Sequence, residues 1–187
     1  MPTVVMVNAP DSLLDERRSR GLDHSDEMWD GVIHLVPPAG SQHGQRQLDL
    51  GAILKSALRD QGLQGATEIG VFRPGRDDDY RVPDLAFGPS DVFSDRGIEG
   101  AATLVVEIRS PRDESWQKVD FYAEVGVEQV LIIDPAIRRV HLLNNREGTM
   151  VEQQGPLGDV QLDGADVQLW FDGDRLVVQA DGHQHVM

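Results

Sequence analysis

Apolar positions recur at two spacings along this chain, and the changes of spacing mark out its elements. Over 42–61, Leu50, Ile53, Leu54, Ala57 and Leu58 fall at i, i+3, i+4, i+7 and i+8. That is the stripe of an amphipathic helix, with Ser41 placed to cap it and Gly62 to end it. Residues 11–20 read as a shorter helix, capped by Asp11 or Ser12 and stopped by Gly21. Residues 103–108 and 129–134 are nearly continuous apolar runs, as in strands buried on both faces. Between them, 114–125 sets Trp116, Val119 and Ala123 on one face, a helix that Gly126 stops. Strand, helix and strand in that order make a β-α-β unit, whose two strands run parallel.

The remaining segments are shorter. Residues 26–36 hold two apolar-rich arms around Asp30-Gly31, a hairpin signal, and Pro37-Pro38-Ala39-Gly40 then breaks the chain. Residues 64–73 and 80–87 read as strands, the second an edge or bulged strand because Pro83 lies inside it. Arg76 to Asp79 between them reads as a solvated turn. Asp134-Pro135 leads into a strand at 138–143. Residues 146–180 read as short C-terminal strands with turns at Gly155-Pro156, Asp163-Gly164 and Asp172-Gly173, and the tail 181–187 is expected to fray.

With 187 residues, no internal repeat and no long linker, the chain is expected to form a single α/β domain over 1–187. Forty percent of its residues are apolar but only 5% are aromatic, so aliphatic packing carries the core. No apolar run approaches the ~18–20 residues of a membrane span. The first ten residues lack the basic start and apolar stretch of a signal peptide, which points to the cytoplasm. The absence of cysteine excludes disulfides, thiolate metal sites and Cys nucleophiles. Seventeen basic against 32 acidic residues leave a net charge of −15, which rules out a fold-wide basic patch and attraction to anionic membranes. A phosphate-bearing substrate must then be held locally, by a few cations or by a metal. Only two of the basic residues, Lys55 and Lys118, are lysines.

Asp84, Glu107 and Lys118 carry the candidate chemistry. Asp84 stands among Val82, Leu85, Ala86 and Phe87. Glu107 lies near the end of the most apolar strand, on the face of Val105 and Thr103. Burying a carboxylate there is costly unless it is paired or binds a metal. Two such carboxylates on adjacent strands make a hard oxygen site suited to Mg²⁺, which keeps several waters and takes one or two protein carboxylates plus a phosphate oxygen. Lys118, on the helix that follows, has a stem long enough to reach back to the strand end. Plainer readings stand beside these: an i, i+4 surface pair of Glu114 with Lys118, and an arginine partner for Glu107. His183 and His185 in the tail, the acidic Arg76–Asp79 turn as a calcium loop, and Ser110 as a nucleophile each lack the surrounding pattern their chemistry needs.

Val82-Pro83-Asp84-Leu85, then Leu104 to Pro111, then Asp113 to Lys118 with Phe121-Tyr122, then Gly126-Val127 and Val130 to Pro135 together resemble the Uma-two family, restriction-endonuclease-like proteins of the PD-(D/E)XK nuclease superfamily. Asp26 to Val32, and Pro37-Pro38 followed by His43-Gly44, resemble that family's N-terminal hairpin and helix start, so the resemblance covers roughly 10–145. It implies a nuclease-like core of mixed sheet flanked by helices, Asp84 and Glu107 as carboxylates for Mg²⁺ or Mn²⁺, DNA as substrate and a homodimer. The superfamily's usual lysine, two residues after the glutamate, is replaced here by Arg109. The resemblance therefore points to members whose lysine has moved to the next helix, which is Lys118. Glu27, His43 and Tyr122 are further candidates to line the site. Each also has a bland reading: strand-edge pairing, helix capping and core packing respectively.

Two functions follow. One is a Mg²⁺-dependent DNA endonuclease. The other is a catalytically silent module that keeps the fold for oligomerisation or partner binding. Charge weighs against the first: a dimer opposes DNA with about −30, only partly screened over the Debye length of ~8–10 Å. A nuclease therefore needs arginines close to the carboxylates, and Arg73, Arg76, Arg81, Arg109 and Arg112 are the sequence neighbours.

Overall fold

The computed structural model describes residues 3–111, 113–153, 155 and 158–187. It opens with strand β1 (Val4–Met6) and helix α1 (Asp11–Ser19), which buries none of its residues. Arg17 of α1 instead grips buried Asp26 at 2.6 and 2.7 Å. Strands β2 (Glu27–Trp29) and β3 (Val32–Leu35) form the expected hairpin. Asp30 and Gly31 both take positive φ there, as a two-residue turn with the twist of the strands requires. Helix α2 (Ser41–Ala57) follows, and a 3₁₀ turn at Arg59–Gln61 and left-handed Gly62 end it. The expected caps are displaced by one residue. Neither Asp11, Ser12 nor Ser41 caps a helix. Pro10 and Gly40 hold the N-cap positions in extended backbone and offer only carbonyls, to Leu14 and Gly44.

The two apolar runs read as single strands each break in two. The first becomes β4 (Gln64–Thr67) and β5 (Gly70–Phe72), split near Glu68, whose φ is 52°. The second becomes β6 (Tyr80–Arg81) and β7 (Leu85–Gly88), split at Pro83, which has no N–H to give a ladder. β5 and β6 join one sheet while β4 and β7 join another, so the chain crosses between sheets twice, and Asp84 lies at the second crossing. β7 is not an edge strand: it sits between β4 and β10 (Leu104–Ile108). Before β10 come two short strands, β8 (Phe93–Ser94) and β9 (Gly97–Glu99). A 3₁₀ turn at Ser115–Lys118 then enters α3 (Val119–Glu124), and β11 (Gln129–Asp134) returns parallel to β10, as the β-α-β reading requires.

β12 (Arg139–Arg146), β13 (Thr149–Glu152), β14 (Val160–Gln161), β15 (Val167–Asp172), β16 (Arg175–Ala180) and β17 (His183–Val186) complete the chain. Pro156 of the expected Gly155-Pro156 turn lies outside the described residues, as does Arg112. The tail does not fray. Asp181 and Gly182, both at positive φ, turn it back onto β16, and Met187 and Leu176 exchange two backbone hydrogen bonds of 2.9 Å.

Among the described residues the strands form three sheets. A six-stranded mixed sheet runs β13-β12-β11-β10-β7-β4. A seven-stranded one runs β1-β3-β2-β6-β5-β9-β8, and a four-stranded one runs β14-β15-β16-β17. The six-stranded sheet is central. Leu104, Val106 and Ile108 of β10 pack on one face with α2 and the four-stranded sheet. Val105 packs on the other with α3, β5 and β9. Alternation assigns Glu107 to that second face, beneath α3. The chain is thus an α/β (α+β) protein with a mixed central sheet flanked by helices.

Candidate active site

The register of β7 and β10 pairs Val106 with Leu85. Continued by one step, it sets Glu107 against Asp84, the first residue past the ladder. The Ile108 N–H, next to Glu107, donates to Asp84 Oδ2 at 2.5 Å. Both carboxylates open into one cleft of about 900 Å³, whose walls include α2, the β3–α2 segment and the loop after β10. They differ in setting. Glu107 is fully buried, while Asp84 is about one-sixth exposed.

Asp84 is held from α2. His43 Nε2 lies 2.8 Å from Asp84 Oδ1, and Gln47, one turn on, donates to the Asp84 carbonyl at 2.9 Å. His43 therefore does not cap its helix. The bond to Asp84 raises its pKa, against an opposing effect of burial. On its other side His43 Nδ1 meets Ser110 Oγ at 3.3 Å.

Glu107 is held from the α3 segment. The Tyr122 hydroxyl donates to Glu107 Oε1 at 2.7 Å, so Tyr122 is both a core residue and a ligand of the carboxylate. Lys118 Nζ lies 3.1 Å from Glu107 Oε1 and 2.6 Å from Glu27 Oε1. Glu27 is no edge residue: β2 lies between β3 and β6, and Glu27 also accepts from the Val82 N–H at 3.0 Å and from Trp29 Nε1 at 2.7 Å. Lys118 thus ties the seven-stranded sheet to the central one. Its expected surface partner, Glu114, turns instead to His34 Nδ1 at 2.9 Å. Among the described residues no arginine pairs with Glu107 either; the ammonium takes that place.

The electrostatics follow from burial. Burial pushes the Glu107 carboxyl up to about 8; Asp84 and Glu27 add to the rise, while Lys118 and the Tyr122 bond oppose it. Burial works to lower the Lys118 pKa, but Glu107, Glu27 and Asp84 outweigh it and raise it. The cluster therefore keeps its ammonium at neutral pH. Burial, with Glu107 close by, also raises the Tyr122 hydroxyl, which stays a donor.

Arg109, in the position of the superfamily's usual lysine, points elsewhere. It pairs with Asp134 and, at 3.3 Å, with Asp113. Among the described residues the expected arginine cluster does not form. Arg73 and Arg81 pair with Asp79, which is buried rather than part of a solvated turn. Arg76 pairs with Asp78 and Asp30. The cleft residue Arg46 on α2 gave no signal in the sequence, and neither did the pairing of Glu114 with His34, which spans 80 positions.

The donor set decides which metal suits the cleft. Among the described residues no three His, Asp or Glu side chains gather to cage an ion. Two carboxylates with open volume before them fit Mg²⁺, which keeps its waters, and not a fully protein-ligated zinc. No helix is long and apolar enough to cross a membrane among the described residues.

Comparison with known proteins bears on the fold and the family. No curated protein matches the chain. A solved structure from Anabaena variabilis, described as “a putative nuclease belonging to DUF820”, superposes with a TM-score of 0.59 at 18% identity, covering 73% of this chain and 80% of that one, and so shares the fold. The model of the Uma2 family, described as “Putative restriction endonuclease”, matches residues 15–173, and the chain belongs to that family.

Proposed function

We propose that the chain is a Mg²⁺- or Mn²⁺-dependent endonuclease that hydrolyses DNA phosphodiester bonds. The reading is carried by one observation: Asp84, Glu107 and Lys118 meet in a single cleft although they come from a sheet crossing, a strand and a 3₁₀ turn. Asp84 and Glu107 would hold the ion, which would supply Lewis-acid stabilisation of the charge that develops on the phosphate. His43 and the Ile108 N–H fix the Asp84 carboxylate, and Tyr122 fixes that of Glu107. Lys118, aimed by Glu27, donates to the attacking water and offsets charge in the transition state. That water gives up a proton to solvent as it forms the new P–O bond, the P–O bond opposite breaks, and the leaving oxygen takes up a proton from solvent. The buried, doubly paired ammonium stays charged throughout, so Lys118 orients and stabilises rather than acting as general base.

The test is cleavage of supercoiled and single-stranded DNA in Mg²⁺ or Mn²⁺ by wild type, Asp84→Asn and Lys118→Met. Removing one electrostatic stabiliser typically costs about 100–1000-fold in kcat, the loss expected for either variant. Cutting that survives Asp84→Asn would mark a contaminant. A wild type that neither cuts nor binds metal by calorimetry would leave a silent module.

A further inference from the structure

Every cation near the carboxylates that the sequence brings to mind and the structure describes is already neutralised by an acid: Arg73, Arg76, Arg81, Arg109 and Lys118. Three of these, Arg73, Arg76 and Arg81, do not line the cleft. One other arginine does line it. Arg46 stands on α2 three residues after His43, so the two share a helix face, and His43 is bonded to Asp84. Arg46 is half-buried, and among the described residues no acid pairs with it. Arg59 and Arg146 likewise pair with no acid among the described residues, but of the three only Arg46 lines the cleft.

The opposite wall has the reverse character. Asp113, Glu114 and Asp134 line it, and Arg109 there is spent on two of them. Glu68 and the two site carboxylates line the cleft as well, so Arg46 is the unpaired cation that an entering anion would meet among its described residues.

We infer that Arg46 is the residue that takes hold of the DNA backbone, donating in fork geometry to one phosphate beside the Asp84–Glu107 site. This rests on the nuclease reading above and deepens it. Guanidinium N–H groups match two phosphate oxygens at once, which a lysine cannot reproduce. With Arg46 the one unpaired cation among the described residues that line the cleft, its contact with the backbone releases about one counterion. Its salt dependence is then shallow, a slope of about −0.7 to −0.9 in log–log terms rather than the steep slope of a basic-patch binder.

The experiment is steady-state cleavage of a labelled oligonucleotide in Mg²⁺ across a NaCl series, with wild type, Arg46→Ala and Arg46→Lys. Arg46→Ala should raise KM about tenfold with kcat within about twofold, and should flatten the salt dependence of kcat/KM by close to one counterion. Arg46→Lys should keep the salt slope, because its charge remains, while losing part of the affinity. Mg²⁺ affinity by calorimetry and thermal stability should be unchanged in both, since Arg46 contacts neither carboxylate. A wild type that cuts, with Arg46→Ala unchanged in KM and slope, overturns the assignment of Arg46 and leaves the nuclease intact. A wild type that binds and cuts no DNA overturns both.

Discussion

At the scale of single residues, the site is a problem of burying charge. Glu27, Glu107 and Lys118 lie together out of water, and the ordering of their protonation decides what the cluster costs. The Glu107 carboxyl, pushed up to about 8 by burial, binds a proton in the folded state that the unfolded chain releases near its ordinary value of 4.5. Folding therefore takes up protons between those values. The contribution is fully present below about 4.5 and is lost as pH rises through about 8. The expected outcome is a decline in denaturation midpoint across that window in metal-free buffer, flattened in Glu107→Gln. An equal decline in both proteins would locate the titration elsewhere. Glu107 was legible in the sequence because one carboxylate inside an aliphatic strand needs a reason. Lys118 was legible because lysine is rare here. Arg46, and the turning of Glu114 toward His34, were not, since nothing local distinguishes them and only the packing of distant elements decides their partners.

At the scale of elements, periodicity located the long pieces: α2, the hairpin, β10, β11 and the helix between them. It failed where the chain changes sheets. An alternating run looks the same whether its two halves join one ladder or two, so β4–β5 and β6–β7 read as continuous. Strands of two or three residues, such as β1, β8 and β9, hold no period to detect. The frayed tail was a misreading of polar composition, because an edge strand tolerates polar residues on its open side. The parallel contact of β5 with β9 depends on Gly97, whose φ is 148° and where a Cβ would lie 2.2 Å from the Gly70 carbonyl oxygen. Gly97→Ala must push the two strands apart. It is expected to cost more than about 3 kcal/mol in urea denaturation, and a cost below about 1 kcal/mol would mean that the strands reseat freely.

At the scale of the whole molecule, the charge of −15 sets the terms of function. Without a metal the cleft is acidic, and the protein as a whole repels nucleic acid. On the reading proposed above, a divalent ion at Asp84 and Glu107 would offset those two carboxylate charges, so the metal would be needed before the substrate. An ion that binds only the folded chain also stabilises it. At a hundred times Kd the gain is about 2.7 kcal/mol, a rise of roughly 5–10 °C in Tm for a domain of this size. Thermal scans with and without Mg²⁺ should show that rise in wild type and lose it in Asp84→Asn. The same rise in both would place the ion away from this pair.

Lys118 bridges Glu27 in one sheet and Glu107 in the other, so the residue proposed to serve hydrolysis is also a clasp between layers. A relative without hydrolytic activity would still have to keep an ammonium there, or lose both acids along with it. Retention of that lysine in a relative is thus poor testimony that the relative cuts anything, whereas an unemployed arginine like Arg46, which holds nothing together, has no reason to persist once its ligand is gone.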